Sequence, residues 1–185
     1  MTRRDEIDIR FDDGIRAHVG KSKSIDEGEM HARVWRFDAL QGSLNAFIDA
    51  AVPGHERVLY GALGTGTADE QIVKAVKAAE NFHIDFIKAG PGQGAALHSH
   101  DSEEVFIVMT GRWKVAWGTN GENALELDRF DGVSVPSGVM RSFENLGDEE
   151  NVLMAIIGGK TPGACVWSEA IIGKLKEARA KPIEP

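Results

Sequence analysis

Cysteine is almost missing from this chain. Cys165 stands alone among 185 residues, so no internal disulfide can form, and a reducing cytoplasm is the default compartment. Basic residues fall short of acidic ones, 21 against 29, and the resulting net charge of −8 offers no basic stripe to a nucleic-acid backbone or an anionic membrane. No apolar run approaches the length of a membrane span or of a signal-peptide core with its flanks. What remains is an ordinary globular composition, 42% hydrophobic, in a length that fits one domain with a sizeable core. Partners are therefore expected among small molecules and other copies of the chain, with no nucleic acid and no membrane.

Four stretches differ in character. Residues 1–30 are dense in charge and poor in large apolar side chains, and they read as a tail or arm. The alternation of Ile7, Ile9 and Phe11 with charged residues leaves open a strand that adds to a neighbouring subunit, and His18 reads as solvated. Residues 31–81 form a helical and strand extension packed on the β-rich segment after it. Asp38 and Gln41 make a capping box, after which Leu40, Leu44, Phe47, Ile48 and Ala51 recur at helical spacing until Pro53-Gly54. A second box, Thr67 with Glu70, precedes Ile72, Val73, Val76 and Ala79. The glycines from Gly61 to Gly66 lack the spacing of a nucleotide-binding fingerprint and read as a turn region.

Residues 82–160 read as β. Phe82, Ile84 and Phe86 alternate with His83 and Asp85, so His83 points away from the aromatic side chains, where it is either a spare ligand or merely outward-facing. The run Val105 to Met109 is apolar on both faces and must be covered, by the N-terminal helices or by a second subunit. Short strands follow at 112–118, 124–127, 133–135, 140–145 and 152–157, a spacing that implies an antiparallel all-β core. Trp113 and Trp117 either line the mouth of that core or belong to its filling. In residues 161–185, Ser168 can cap a last helix over 169–180, ending before Pro182. Cys165 reads as a small buried residue, because no histidine is placed to activate it.

One segment carries the chemistry. Gly92 is followed by His98, His100, Glu104 and Gly111. His98 and His100 are two apart, so on a strand they face the same side, and the turn formers Asp101 and Ser102 allow Glu104 to fold back beside them. Two imidazoles and one carboxylate form a set that a single divalent metal ion can collect.

These five anchors resemble the first conserved motif of the cupin superfamily, at that family's spacing. A second cupin motif is matched by Pro136, Gly138 and Asn145, with two departures. Phe130 stands at the motif's opening glycine, with Gly132 two residues on, and Arg141 stands where the last metal-ligand histidine is usual. The resemblance implies an antiparallel jelly-roll (cupin) barrel, flanked here by the proposed N-terminal and C-terminal helices, and it favours a homodimer. It implies a divalent transition metal, Fe, Mn, Ni or Zn, on His98, His100 and Glu104. Arginine has no lone pair to give a metal. Arg141 therefore either faces the open side of a three-ligand site as a clamp for a substrate anion, or pairs with Glu104 and leaves a metal-free pocket. The expected function is a metal-dependent, dioxygenase-like enzyme acting on a small carboxylate-bearing anion; the alternative is a non-catalytic anion-binding barrel with a degenerate metal site.

Overall fold

The computed structural model describes residues 23–64, 73–159 and 164–180. The alternative N-terminal strand over Ile7 to Phe11, His18, and the capping box of Thr67 and Glu70 lie outside them. The chain divides into two units, Met1–His31 and Ala32–Pro185. Within the first, helix α1 (Glu27–His31) buries no residue and is opened by Asp26, whose carboxylate accepts the Glu29 N–H at 2.7 Å.

The second unit is two antiparallel sheets. The first contains β1 (Gly42–Ser43), β2 (Val58–Leu63), β3 (Phe82–Ala89), β5 (Glu104–Val108), β8 (Gly132–Val135) and β10 (Asn151–Gly158), in the order β1-β2-β3-β10-β5-β8. The second contains β4 (Gly94–His100), β6 (Trp113–Trp117), β7 (Asn123–Leu127), β9 (Arg141–Asn145) and β11 (Cys165–Trp167), in the order β11-β4-β9-β6-β7. Alternating side chains of both sheets meet in a core that includes Phe106, Val108, Trp113, Val115, Phe143 and Leu153. Phe143 joins the sheets, with ring centroids 5.2 Å from Phe106 and 6.0 Å from Trp113. Trp113 is thus core rather than mouth, and its indole N–H donates to the Thr110 carbonyl at 3.0 Å.

The C-terminal helix α2 (Glu169–Ala180) forms as its pattern predicts, and Ile171 packs against Val52 and Ala96 on the outer side of β4. The helix expected over 38–51 does not form. That stretch contains 3-10 turns at Phe37–Ala39 and Ile48–Ala51, with β1 between them. Nor are the described residues 73–79 of the second expected helix helical; Val76 bridges Leu63 in extended form and is buried. The glycine run is likewise strand rather than turn as far as Leu63. Gly64 lets the backbone close on His83, since a Cβ there would fall 2.1 Å from the imidazole Nδ1. The apolar outer positions Val105 and Ile107 are half-buried. No described helix is long and apolar enough to cross a membrane.

The motif residues that carry no chemistry shape turns. Asn145 is fully buried, and its amide donates to the carbonyls of Ala89 and Glu149 at 2.9 and 2.8 Å while its oxygen accepts the Gly147 N–H. Gly111, at φ +70°, sits where a Cβ would strike Asn151. Phe130 occupies the left-handed region at φ 73°, alone among the described non-glycine residues. That explains the family's glycine there, and a bulky residue in that conformation costs about 1–2 kcal/mol.

Candidate functional site

His98 and His100 reach the barrel interior because β4 contains a bulge. The pairing with β9 runs Ala95 to Phe143 and then His98 to Arg141, so β4 spends three steps where β9 spends two. The extra residue reverses the parity of the strand, and Ala95 and His98 come to share the inner side. Both backbone polar groups of Ala96, inside the bulge, are taken up. Its N–H donates to Asp49 Oδ2 at 2.9 Å, and its carbonyl accepts from His98 Nδ1 at 2.7 Å. A carbonyl can only accept, so the proton of His98 resides on Nδ1 and the Nε2 lone pair is left for a ligand.

Asp49 holds the bulge through a buried network. Its carboxylate forms a two-point pair with Arg57, at 2.9 and 3.0 Å, and both residues are at most 5% exposed. Arg57 also donates to the Gly94 and His55 carbonyls, and its guanidinium lies 5.1 Å from the Phe47 ring. Neither Asp49 nor Arg57 carried a sequence signal for the site.

Four further residues complete the interior. Glu104, at the start of β5, accepts the Arg141 Nε–H at 2.9 Å, and its Oε2 lies 3.9 Å from His100 Nε2. Arg141 is fully buried; its Nη1 donates to the Val139 carbonyl, and its Nη2 has no hydrogen-bond partner. Cys165 and Trp167 on β11 lie opposite His100 and His98 respectively, and so share their face. The Trp167 and His98 rings are 5.2 Å apart. The donor atoms of His98, His100 and Cys165 all lie within 4.8 Å of one another. Cys165 is half-buried beside the two histidines.

His83 is fully buried and turned inward like Asp85 and Ile87, whereas Phe82 is exposed, so the apparent core face of β3 is reversed. Asp85 forms a buried ion pair with Lys74. His83 does not belong to the group of converging donors.

Burial governs the protonation of the site. It pushes Glu104 up to about 7 against the opposing pull of Arg141. Burial, with Arg141 second, takes His100 down to about 4, and burial with the neighbouring His100 holds His98 well below the usual imidazole range. Burial, followed by the charges of Asp49 and Glu104, pushes the Cys165 thiol up to about 12. Both imidazoles are accordingly neutral at physiological pH, the form in which they bind metal. His98, His100, Glu104, Arg57, Asp85, Cys165 and Trp167 surround a cavity of about 30 Å³, large enough for one water or one ion.

Residues 86–157, which span β4 to β9, the second half of β3 and all but the last residue of β10, match the cupin domain family. Residues 86–157 thus form a cupin domain within the chain. Solved structures similar to this cupin include the DMSP lyase DddQ from Ruegeria pomeroyi DSS-3, at 18% identity and a TM-score of 0.52 over 70% of this chain and 61% of that one. The polyketide cyclase RemF from Streptomyces resistomycificus gives 12% and 0.51, over 68% of this chain and 78% of that one. A structure described as DMSP lyases RdDddP and RnDddQII gives 15% and 0.50, over 61% and 53%. At these identities the likeness is one of fold. The cupin spans little more than half the length of the lyase chains. No curated protein matches its sequence.

The family's metal set is only partly kept. The two histidines fit, with His98 held as a ready Nε2 donor, but Arg141 replaces the last histidine and occupies the Glu104 oxygen that faces His100.

Proposed function

We propose that this cupin is a metal-dependent enzyme of the dioxygenase-like kind, acting on a small carboxylate-bearing anion. The observation that carries the reading is the juxtaposition of neutral His98 and His100 with a fully buried arginine whose Nη2 has no partner. A divalent transition metal, Fe, Mn, Ni or Zn, would supply a Lewis acid at the two imidazoles, with Glu104 within reach as the carboxylate of the set. Arg141 supplies the specificity. Its unmatched N–H donor can take one oxygen of a substrate carboxylate, and a buried donor left unsatisfied costs about 1–3 kcal/mol that an anion would recover. The apolar walls, Ile87, Phe143, Ile157 and Trp167 among them, exclude water, and because the cavity of about 30 Å³ holds one water or one ion, a carboxylate anion must displace neighbouring side chains to enter. The half-buried apolar positions Val105 and Ile107 support a homodimer.

A second reading, an anion-binding barrel without turnover, is favoured by the Arg141–Glu104 contact, which balances both charges without a metal. Calorimetric titration with formate, acetate and oxalate separates the two. The enzyme reading expects anion binding that depends on loaded metal and weakens at least tenfold in Arg141→Gln. Equal binding by chelator-treated protein supports the binding barrel, and an affinity unchanged by Arg141→Gln removes the clamp.

A further inference from the structure

We propose that Cys165 is a protein ligand of the metal, in the position that the family pattern gives to Glu104, so that His98, His100 and a thiolate form a soft site of two nitrogens and one sulfur. The inference rests on the metal-binding reading above and refines it.

Register is the first argument. Cys165 pairs directly with His100, and Trp167 with His98, so the short edge strand β11 delivers a sulfur to the face that holds both imidazoles. A tetrahedral ion with metal–nitrogen bonds of about 2.0–2.1 Å and a metal–sulfur bond of about 2.3 Å needs donors roughly 3.3–3.6 Å apart. The three donors, all within 4.8 Å of one another, stand near that spacing. Glu104 is not in this group, because its Oε2 faces the Arg141 guanidinium.

Charge is the second argument. Around the interior each carboxylate already has a buried cation: Asp49 has Arg57, Glu104 has Arg141 and Asp85 has Lys74. Every ionised carboxylate among these has its cation before any metal arrives, and a dication held by neutral imidazoles alone would add an uncompensated double charge. The thiol of Cys165 is the remaining group nearby that can become an anion. As the sulfur–metal bond forms, its proton leaves to solvent, and the site takes up one net charge instead of two. A thiolate also changes the choice of metal, since sulfur favours Zn(II) and Co(II) over the oxygen-seeking Mn(II). Cys165 lies beyond the stretch that matches the family.

The test is titration of the reduced, full-length protein with Co(II), followed by competition between Zn(II) and Mn(II). The expected result is a thiolate-to-cobalt charge-transfer band in the near ultraviolet at one ion per chain, and at least a hundredfold preference for Zn(II) over Mn(II). Cys165→Ser and Cys165→Ala should remove the band and weaken Zn(II) binding at least tenfold. X-ray absorption of the zinc-loaded wild type gives a readout that needs no variant, and a sulfur shell at about 2.3 Å is expected. Cobalt and zinc bound through nitrogen and oxygen alone would overturn the thiolate ligand while leaving the metal site standing. Failure of the wild type to bind Co(II), Zn(II) or Mn(II) would overturn both readings.

Discussion

Asp49→Ala is expected to lower folding stability by about 3–5 kcal/mol, because it strands the Arg57 charge in the interior and leaves the bulge at Ala96 without its acceptor. Urea unfolding followed by circular dichroism measures the loss. Asp49→Asn should cost less, since an amide oxygen can still accept the Ala96 N–H, although the ion pair is gone. Removing both partners, as in Asp49→Leu with Arg57→Met, should cost less than Asp49→Ala, because no uncompensated charge then stays buried. Metal affinity should fall in Asp49→Ala as well, for the bulge sets the face on which His98 emerges. A loss below about 1 kcal/mol would show that the bulge is held by something other than Asp49.

The second large effect is expected at Arg141. Arg141→His places an imidazole at the family's last ligand position and releases Glu104 from its guanidinium. Affinity for divalent metal should rise by an order of magnitude or more, since a neutral donor is gained and a repelling charge is lost. Arg141→Gln removes the charge without adding a metal-binding nitrogen and should recover only part of the gain. Anion binding should fall in both. Competition against a chelating dye gives the affinities, and equal values in all three proteins would mean that Arg141 exerts no influence on the metal.

The motif spacing made His98, His100, Glu104 and Arg141 legible, because ligand geometry constrains residue type and separation together. Alternation located the strands of the barrel, and the Ser168 cap with Pro182 beyond located the helix over 169–180. Local pattern failed where the decisive partner is remote in sequence. Leu40, Leu44, Phe47, Ile48 and Ala51 recur at helical spacing, yet the Phe47 ring serves Arg57 and Trp167, and Asp49 is held in a 3-10 turn by its bonds to Arg57 and Ala96, so tertiary contacts override the period. His83 and Asp85 read as outward because they are polar. Asp85 is buried with Lys74 as its partner, and His83 is buried on the same face. The bulge in β4 has no signature in its own residues, since its acceptor lies 47 positions upstream. Cys165 was equally silent, because nothing in a Cys-Val-Trp triplet states that it will pair with the histidine strand.

The account stands most directly on the metal content of two purified proteins. Wild type and the His98→Ala, His100→Ala double variant would each be offered Fe(II), Mn(II), Ni(II) and Zn(II), desalted, and analysed for bound metal beside a thermal melt. The account predicts close to one transition-metal ion per wild-type chain and essentially none in the double variant, with the variant still folded, because both imidazoles border a cavity rather than fill the apolar core. An unchanged metal content in the double variant, or no metal in the wild type after all four have been offered, would contradict it.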